Sequence, residues 1–365
     1  MTKIKDIIKE LEAWAPPSYQ EGYDNARLIT GNQNDELTGV LISLDCVEDV
    51  VQEAIDTNCN IIVSHHPIVF SGLKSLTGKN YVERTVIKAI KNDIAIYAIH
   101  TNLDNVNTGV NKKIADLIGL QDQKILSPKK STLAKLVTFC PKENTQQVLD
   151  KLYEAGAGEI GNYSHCSFST KGTGTFKPSE KANPHIGQFG KDEQVKEERI
   201  ELMFSSHLRG KVISALRNVH PYEEVAYYIT ELSNINQEVG AGMIGVLPHE
   251  IGTSEFIAKI KETFNLKVIK HTAIHKEKVK RIAVCGGAGS FLLGKAKGAN
   301  ADVFITADYK YHEFFDAEEK IMIMDIGHYE SEVFTKELIY DFLKEKFANI
   351  ALHLSEVVTN PIKYS

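Results

Sequence analysis

The sequence predicts an α/β protein made of two related β-α-β lobes that face a cleft, plus an inserted ferredoxin-like α+β domain. Short apolar runs alternate with helical patterns in residues 1–129 and again in residues 237–365. Such alternation implies mostly parallel sheets joined by helical crossovers. Residues 130–236 instead follow a β-α-β-β-α-β order. We therefore expect the first core lobe at 1–129, the inserted domain at 130–236 and the second core lobe at 237–365.

The first lobe is predicted from its apolar spacing. An opening helix is expected because apolar side chains recur on one helical face, at Ile4, Ile7, Ile8, Leu11 and Trp14. Pro16 and Pro17 end this pattern. The next elements alternate regularly. They are a strand at 39–44, a helix at 48–56, a strand ending in His65 and His66, a helix at 82–91 and a strand at 94–99.

The second lobe repeats this order. Its expected elements are a strand at 281–285, a glycine-rich turn, a helix, a strand at 302–306, a helix near 313–319 and a strand at 321–326. Residues 60–66 align with residues 302–308, and each segment ends in candidate site residues. We interpret this correspondence as two related lobes. The alternative is that any two stretches of α/β chain look alike at this level.

The inserted domain is expected to begin after a linker at 126–130. Its predicted elements are a strand at 133–140, a helix from a cap at Asn144 or Thr145 to Ala155, a strand near 163–168, a strand at 199–204, a helix at 211–219 and a strand at 224–229. Residues 171–192 are rich in Gly, Pro and Lys, which is typical of a mobile hairpin or loop. The core is expected to resume near residues 240–245.

Composition limits the class of protein. The chain has 365 residues, a formal net charge of −6 and 42% hydrophobic residues, so it offers no strong nucleic-acid signal and no attraction to an anionic membrane. No apolar run approaches the ~20 residues that cross a bilayer, and the N-terminus has no signal-peptide pattern. The five cysteines form no CxxC pair. We expect a cytoplasmic protein with no membrane partner.

Donor side chains follow three apolar runs and predict a metal site. They are His65, His66, Asp104, His328 and Glu332. His328 and Glu332 share a face if a helix begins at residue 327, whereas adjacent histidines at a strand end diverge. Two ions about 3.5–4 Å apart would resolve that divergence. The mixed nitrogen and oxygen set suits zinc, iron, manganese or cobalt.

Other polar residues near these strand ends admit two interpretations each. His100 is a ligand, a proton shuttle or an orienting group, or else a core histidine bonded to a backbone carbonyl. Asp308 and His312 are expected to face the cleft, with Asp308 as a helix N-cap the alternative. The turn at 285–290 either holds phosphate on backbone N–H groups around Gly286 and Gly287, or is a tight turn capped by Ser290.

Four motifs, in this order along the chain, resemble the Nif-three-like family (NGG-interacting-factor-three type), known as type-2 GTP cyclohydrolase I homologues. They are Ser64-His65-His66-Pro67, His100-Thr101-Asn102-Leu103-Asp104, Thr306-Ala307-Asp308-Tyr309-Lys310-Tyr311-His312 and Asp325-Ile326-Gly327-His328-Tyr329-Glu330-Ser331-Glu332. The family's usual Trp-Asp-Asn-x-Gly-Leu reads Tyr23-Asp24-Asn25-Ala26-Arg27-Leu28 here, and its Thr-Gly-Asp reads Thr306-Ala307-Asp308. Neither departure removes a ligand.

The resemblance implies a dinuclear centre with two divalent ions per subunit, zinc first among them. It implies the ligands His65, His66, Asp104, His328 and Glu332. It also implies a toroidal homohexamer, with an insert similar to the metal-tolerance CutA and PII signalling folds placed over its openings. This insert marks the family's long bacterial form.

Three functions follow as hypotheses. The first is a metal-dependent hydrolase acting on a nucleotide, with GTP ring opening and formate release, in which His100 or His312 moves protons. The second is a non-catalytic metal-binding hexamer that regulates or scaffolds partners. The third is a dinuclear phosphoesterase, which would release phosphate instead of formate.

Overall fold

The computed structural model describes residues 1–365, which form two compact units: residues 1–128 with 237–365, and residues 129–236. The helices are α1 (Ile4–Trp14), α2 (Glu48–Asp56), α3 (Tyr81–Lys91), α4 (Thr101–Asp104), α5 (Val110–Ile118), α6 (Thr145–Glu154), α7 (Arg209–Val219), α8 (Thr253–Thr263), α9 (Leu293–Gly298), α10 (His328–Glu332) and α11 (Thr335–Lys346). None of them is both long enough and apolar enough to cross a membrane.

Fifteen strands form three sheets. They are β1 (Leu28–Thr30), β2 (Val40–Ser43), β3 (Ile61–Ser64), β4 (Ala95–Ala98), β5 (Gln121–Pro128), β6 (Leu133–Pro141), β7 (Phe168–Phe176), β8 (Glu193–Ser205), β9 (Tyr227–Leu232), β10 (Gly240–Gly252), β11 (Lys270–His271), β12 (Lys278–Ala288), β13 (Val303–Ala307), β14 (Met322–Asp325) and β15 (Leu352–Leu354). The protein is therefore of the mixed α/β class.

The first unit contains a five-stranded sheet in the order β1-β4-β3-β2-β15. Strands β2, β3, β4 and β15 run parallel, and β1 pairs antiparallel at one edge. Every residue of β2, β3 and β4 is buried, because helical crossovers cover both faces of a parallel sheet. This burial explains why the three strands read as continuous apolar runs.

The same unit contains a six-stranded sheet in the order β11-β14-β13-β12-β10-β5. Only β12, β13 and β14 are mutually parallel, whereas β11, β10 and β5 pair antiparallel. The expectation of mostly parallel sheets is therefore wrong for this sheet. The parallel triplets match, however: β3 and β13, whose sequences align, are the middle strands of β2-β3-β4 and β12-β13-β14.

One apolar cluster joins the inner faces of both sheets. It combines β-strand residues such as Val63 and Ile305 with side chains of α1, α5, α8 and α11. Separate clusters cover the outer faces, with α2 and α3 on the five-stranded sheet and α9 on the other. The shared core holds the carboxyl ends of the two parallel triplets in one unit, which is what positions the site.

The second unit is a four-stranded antiparallel sheet in the order β7-β8-β6-β9. Helices α6 and α7 share one apolar cluster with one face of this sheet. The expected strand near 163–168 is wrong: the strand is β7, which lies in part of the expected loop at 171–192 and pairs with β8 along its whole length. Because β7 is an exposed edge strand rich in Thr and Gly, it lacks the apolar alternation that marks a strand.

Further corrections concern boundaries. Residues 126–128 belong to edge strand β5 instead of a linker, and Pro128 is tolerated because it ends that strand. The helix expected near 313–319 is a 3₁₀ helix at Tyr311–Ala317. Helices α5, α8 and α11 were not predicted. The opening helix α1 is confirmed with its expected buried face, and four of the five cysteines are buried.

Replacing Leu11 by Ala should destabilise the first unit by about 2–5 kcal/mol, because its side chain is fully buried under α1 and the cavity would not refill. The single tryptophan, Trp14, stacks on Phe342 at 4.3 Å between ring centroids, so its fluorescence reports unfolding of this unit in urea. Exposed Lys9 on the same helix supplies the control, and Lys9→Ala should leave the midpoint within error. Equal midpoints for both variants would contradict this account of the core.

Candidate metal centre

The candidate donors lie just beyond the carboxyl ends of parallel strands from both sheets. His65 and His66 follow β3, and Asp104 ends the short helix α4 that follows β4. His328 and Glu332 occupy α10, one helical turn apart, after β14. The helix expected from residue 327 is confirmed, with Gly327 as its N-cap at φ 91°. Carboxyl ends of parallel strands are where α/β sheets expose working side chains.

Three donors form a first group around one carboxylate oxygen. Nε2 of His66 and Nε2 of His328 each lie 3.0 Å from Oε2 of Glu332. The two imidazole nitrogens are 3.3 Å apart. Nitrogens bound to one tetrahedral zinc ion at 2.0–2.1 Å would be separated by about 3.3 Å. The group therefore has the spacing of three ligands around one ion.

A second group uses the other oxygen of the same glutamate. Nε2 of His65 lies 3.6 Å from Oδ1 of Asp104 and 3.9 Å from Oε1 of Glu332. The side chain of His65 is fully buried and that of Glu332 is 3% exposed. The two groups thus share Glu332, one through each carboxylate oxygen, as a bridging ligand between two cations requires.

Two buried atoms test whether a cation fits this second group. Nε2 of His65 and Oδ1 of Asp104 have no hydrogen-bond partner. An unsatisfied buried polar atom costs about 1–3 kcal/mol, so such atoms need an explanation. A cation between them would satisfy both the imidazole lone pair and the carboxylate. The residues present therefore fit a metal ion.

Each imidazole is oriented by a hydrogen bond on the side away from the centre. The partners of the Nδ1 atoms are the carbonyl oxygen of Ile99 for His65 (2.8 Å), Asp45 for His66 (2.8 Å), Asp308 for His328 (2.7 Å) and Asp24 for His100 (2.8 Å). Outward bonding through Nδ1 leaves Nε2 as the atom available to the centre. Such partners fix the ring orientation of metal-binding histidines and raise their basicity.

The pKa values reflect a buried set of charges. Burial lowers the pKa of His65 to about 3, so this imidazole is neutral. Burial opposes protonation of His66 and His328 as well, but hydrogen bonds to carboxylates outweigh it and raise their pKa values to about 10 and about 9. Burial raises the pKa of Asp104, whereas hydrogen bonds from His328 and His66 hold that of Glu332 low despite its burial. The positive charges of protonated His66 and His328 thus offset the negative charge of Glu332, as a bound cation would.

The glycine-rich carboxyl end of β12 makes room for Glu332. A Cβ on Gly287 would lie 2.6 Å from Oε1 of Glu332, and Gly287 has φ 58°. Its N–H donates to Oγ of Ser331, and the N–H of Gly286 donates to Asn111. These two N–H groups are therefore not free to hold a phosphate. Ser290 does not cap the following 3₁₀ helix, whose N-cap is Gly289.

The remaining predicted residues separate into two sets. His100 belongs to a further donor group with His65 and His66, and its ring centroid is 5.3 Å from each of theirs. Asp308 bonds to His328 and is not the N-cap of the next helix, which is Lys310. His312 is exposed and contacts the rings of Tyr311 and Phe315, and it belongs to none of the donor groups.

Two orienting carboxylates were missed. Asp45 follows β2, the neighbour of β3, so its place beside the histidines was readable from the strand order. It also accepts a hydrogen bond from Thr359, which no local pattern indicated. Asp24 accepts from Thr101 as well as bonding to His100, and these bonds outweigh its burial and lower its pKa to about 2. Asp24 lies on no strand, and its motif alone indicated no role.

The fold and the site together define a class: a mixed α/β protein with a buried histidine and carboxylate cluster that could hold metal ions. A family model described as Duf34/NIF3 (NGG1p interacting factor 3) matches residues 2–361. The chain belongs to this family.

Relatives and solved structures agree. The chain is 38% identical to a protein of Halalkalibacterium halodurans and 35% identical to one of Bacillus subtilis, both named GTP cyclohydrolase 1 type 2 homolog; it covers 98% of each of them, and 98% and 99% of this chain is matched. A Bacillus cereus protein related to NIF3 superposes with a TM-score of 0.87 at 37% identity, covering 100% of this chain and 99% of the other. A Staphylococcus aureus protein gives 0.79 at 31%, with the same coverage.

Replacing Gly287 by Ala should weaken zinc binding by roughly 10–100-fold, the range seen when supporting contacts of a ligand are lost. The new methyl group would displace Oε1 of Glu332 and would also strain a left-handed backbone position. Equilibrium dialysis with metal analysis measures the effect. Gly294→Ala is the matched control, because that glycine has open space around it and no positive φ. Equal zinc affinity in both variants would contradict the cradle assigned to Gly287.

Proposed function

We propose that His65, His66, Asp104, His328 and Glu332 bind two divalent metal ions in each subunit. The observation that carries this proposal is the sharing of Glu332 by two groups of three donors, one group at each carboxylate oxygen. The unpaired Nε2 of His65 and Oδ1 of Asp104 support the second ion. Imidazole and carboxylate donors suit zinc first, and also iron, manganese or cobalt.

The function that this centre supports best is hydrolysis of a nucleotide, with GTP ring opening and release of formate as the specific reaction. When bound, two divalent ions act as Lewis acids that polarise a substrate oxygen and make water more acidic. The relatives named GTP cyclohydrolase 1 type 2 homolog support GTP as the nucleotide. The centre is partly open, since the side chain of His328 is 35% exposed and that of His66 is 20% exposed.

The side chains around the donors have separable roles. Asp45 and Asp308 hold the rings of His66 and His328, so these rings do not turn away from the centre. His100 is held by Asp24 through Nδ1, which leaves Nε2 beside the donors to accept or deliver a proton. His312 has no comparable position, and we assign the proton transfer to His100 alone.

The unit at 129–236 supports the second hypothesis, in which the protein regulates or scaffolds partners. We infer that this unit is a ferredoxin-like module, because its elements follow β-α-β-β-α-β and its third strand lies between the first and the second. A separately folded insert of this kind adds nothing to the donor set, so it serves another purpose. The homohexamer implied by the resemblance also stays a prediction, which analytical ultracentrifugation of the metal-loaded chain tests.

Replacing His66 by Ala or Glu332 by Gln should remove most bound zinc and reduce formate release from GTP by at least about 100-fold, since each change removes a proposed ligand. Metal content and formate are measured on the same samples. His249→Ala and Glu250→Gln are matched controls on exposed residues of β10 and should keep both at wild-type levels.

Each other result of this experiment has a definite meaning. Fully metallated wild-type protein that leaves GTP unchanged would exclude the hydrolase and favour the regulatory function. Phosphate in place of formate would establish the phosphoesterase. Wild-type zinc content in both variants would exclude the metal site itself.

Removal of metal should lower the thermal stability of the first unit. A ligand present at 100 times its Kd stabilises the folded state by about 2.7 kcal/mol, and this contribution disappears with a chelator. Differential scanning calorimetry with and without EDTA should show the shift in wild-type protein. The Glu332→Gln variant is the control, because a protein that binds no ion has none to lose. An equal response of both proteins would contradict binding at this site.

A further inference from the structure

Two aromatic side chains lie exposed beside the candidate metal centre. Tyr23 is 65% exposed and Phe70 is 50% exposed. Their ring centroids are 6.1 Å apart at an interplanar angle of 44°. Neither ring is therefore packed into the core, and each offers much of its surface to a ligand.

The chain segments that carry the two rings are tied to each other and to the centre. Nδ2 of Asn25 donates to the carbonyl oxygen of Val69 at 2.6 Å, which joins the neighbours of both aromatic residues. Asp24 accepts from the backbone N–H of Thr101 at 3.1 Å and bonds to His100 at 2.8 Å. The residues that follow Tyr23 and the residue that precedes Phe70 are thus held by hydrogen bonds. This reduces the entropy lost when a ligand binds the rings.

A series of ring contacts connects this pair to the proposed ligands. The centroid of Phe70 is 6.4 Å from that of His100, in an edge-on arrangement at 74°. The ring of His100 is in turn 5.3 Å from those of His65 and His66. One imidazole therefore separates the exposed pair from the donors, so a molecule lying on the pair reaches toward the centre.

We propose that Tyr23 and Phe70 form a stacking platform for a planar heteroaromatic ring of the substrate, as in a nucleobase. The inference rests on the proposed function and adds a recognition site to it. Aromatic side chains stack on any base, because every base has a π-face. The nearest charged neighbour in the chain is the carboxylate Asp24, which disfavours phosphate groups at this place. Two rings are also far less than the ~800 Å² per partner of a stable protein interface.

The test measures binding of guanosine and adenosine to the zinc-loaded full-length chain by isothermal titration calorimetry. Phe70→Leu and Tyr23→Leu should each raise the Kd of a nucleoside roughly tenfold, the loss expected for one base–aromatic stack. Phe70→Tyr and Tyr23→Phe keep a ring and should restore wild-type binding. Ribose 5-phosphate, which has no base, should bind all variants equally.

Phe189→Leu supplies the matched control, since Phe189 is 59% exposed but belongs to the other unit of the chain. Nucleoside binding that is unchanged in Phe70→Leu and Tyr23→Leu would overturn the proposal. Absence of nucleoside binding to zinc-loaded wild-type protein would overturn it as well. So would leucine variants that change the oligomeric state measured by sedimentation but not the nucleoside Kd. Zinc content and formate release are measured in parallel. A ring-dependent nucleoside site in a protein that releases no formate would refute the hydrolase and retain the platform.

Discussion

A carboxylate buried between imidazoles is the constraint on which this structure depends. Glu332 is 3% exposed and lies in α10 against the glycine-rich turn of β12. A carboxylate removed from water is strongly destabilising unless cations or hydrogen-bond donors surround it. His66 and His328 supply that compensation on one oxygen. The other oxygen faces His65 and Asp104, which cannot compensate it alone, and this imbalance is what points to a bound cation.

The packing of the two core sheets against each other is what this constraint requires. His66 follows β3 of the five-stranded sheet, and Glu332 lies on α10, which follows β14 of the six-stranded sheet. Their 3.0 Å contact spans 266 positions of sequence. Such a contact is only as precise as the packing between the sheets. The apolar cluster shared by both inner faces provides that packing. The packing of the core therefore determines the geometry of the site, because a shift between the sheets would separate the donors.

Hydrogen bonds to the Nδ1 atoms, on the side of each imidazole away from the centre, also position the donors. Asp45, Asp308 and the carbonyl of Ile99 each hold one imidazole by Nδ1, and they follow parallel strands that neighbour the strands preceding the histidines. Because the carboxyl ends of parallel strands meet at one edge, donors and their supports arise from a single architectural feature. Asp24 differs, since it comes from an irregular segment and reaches His100 across 76 positions. The exposed pair of Tyr23 and Phe70 depends on that same segment.

Local patterns were reliable where burial is uniform. The apolar runs of β2, β3 and β4 and the face of α1 followed from spacing alone, and so did the pairing of His328 with Glu332 on one helical turn. Strand β7 escaped notice because an exposed edge strand has no apolar face to display. The antiparallel direction of the edge strands of the six-stranded sheet was also not predicted. Strand direction is set by the connection between strands and by their partners, not by composition.

The sequence by itself determined which residue types could bind a cation and which short segments carry them. It could not determine that each oxygen of Glu332 lies in a different donor group. Nor could it determine that the N–H groups of Gly286 and Gly287 donate to side chains and are not free for a phosphate. Nor did it indicate Asp45 and Asp24 as the groups that orient His66 and His100. Side-chain identity is a local property of the chain. Ångström-scale distances between remote segments are set by how two sheets pack, and only the tertiary structure contains them.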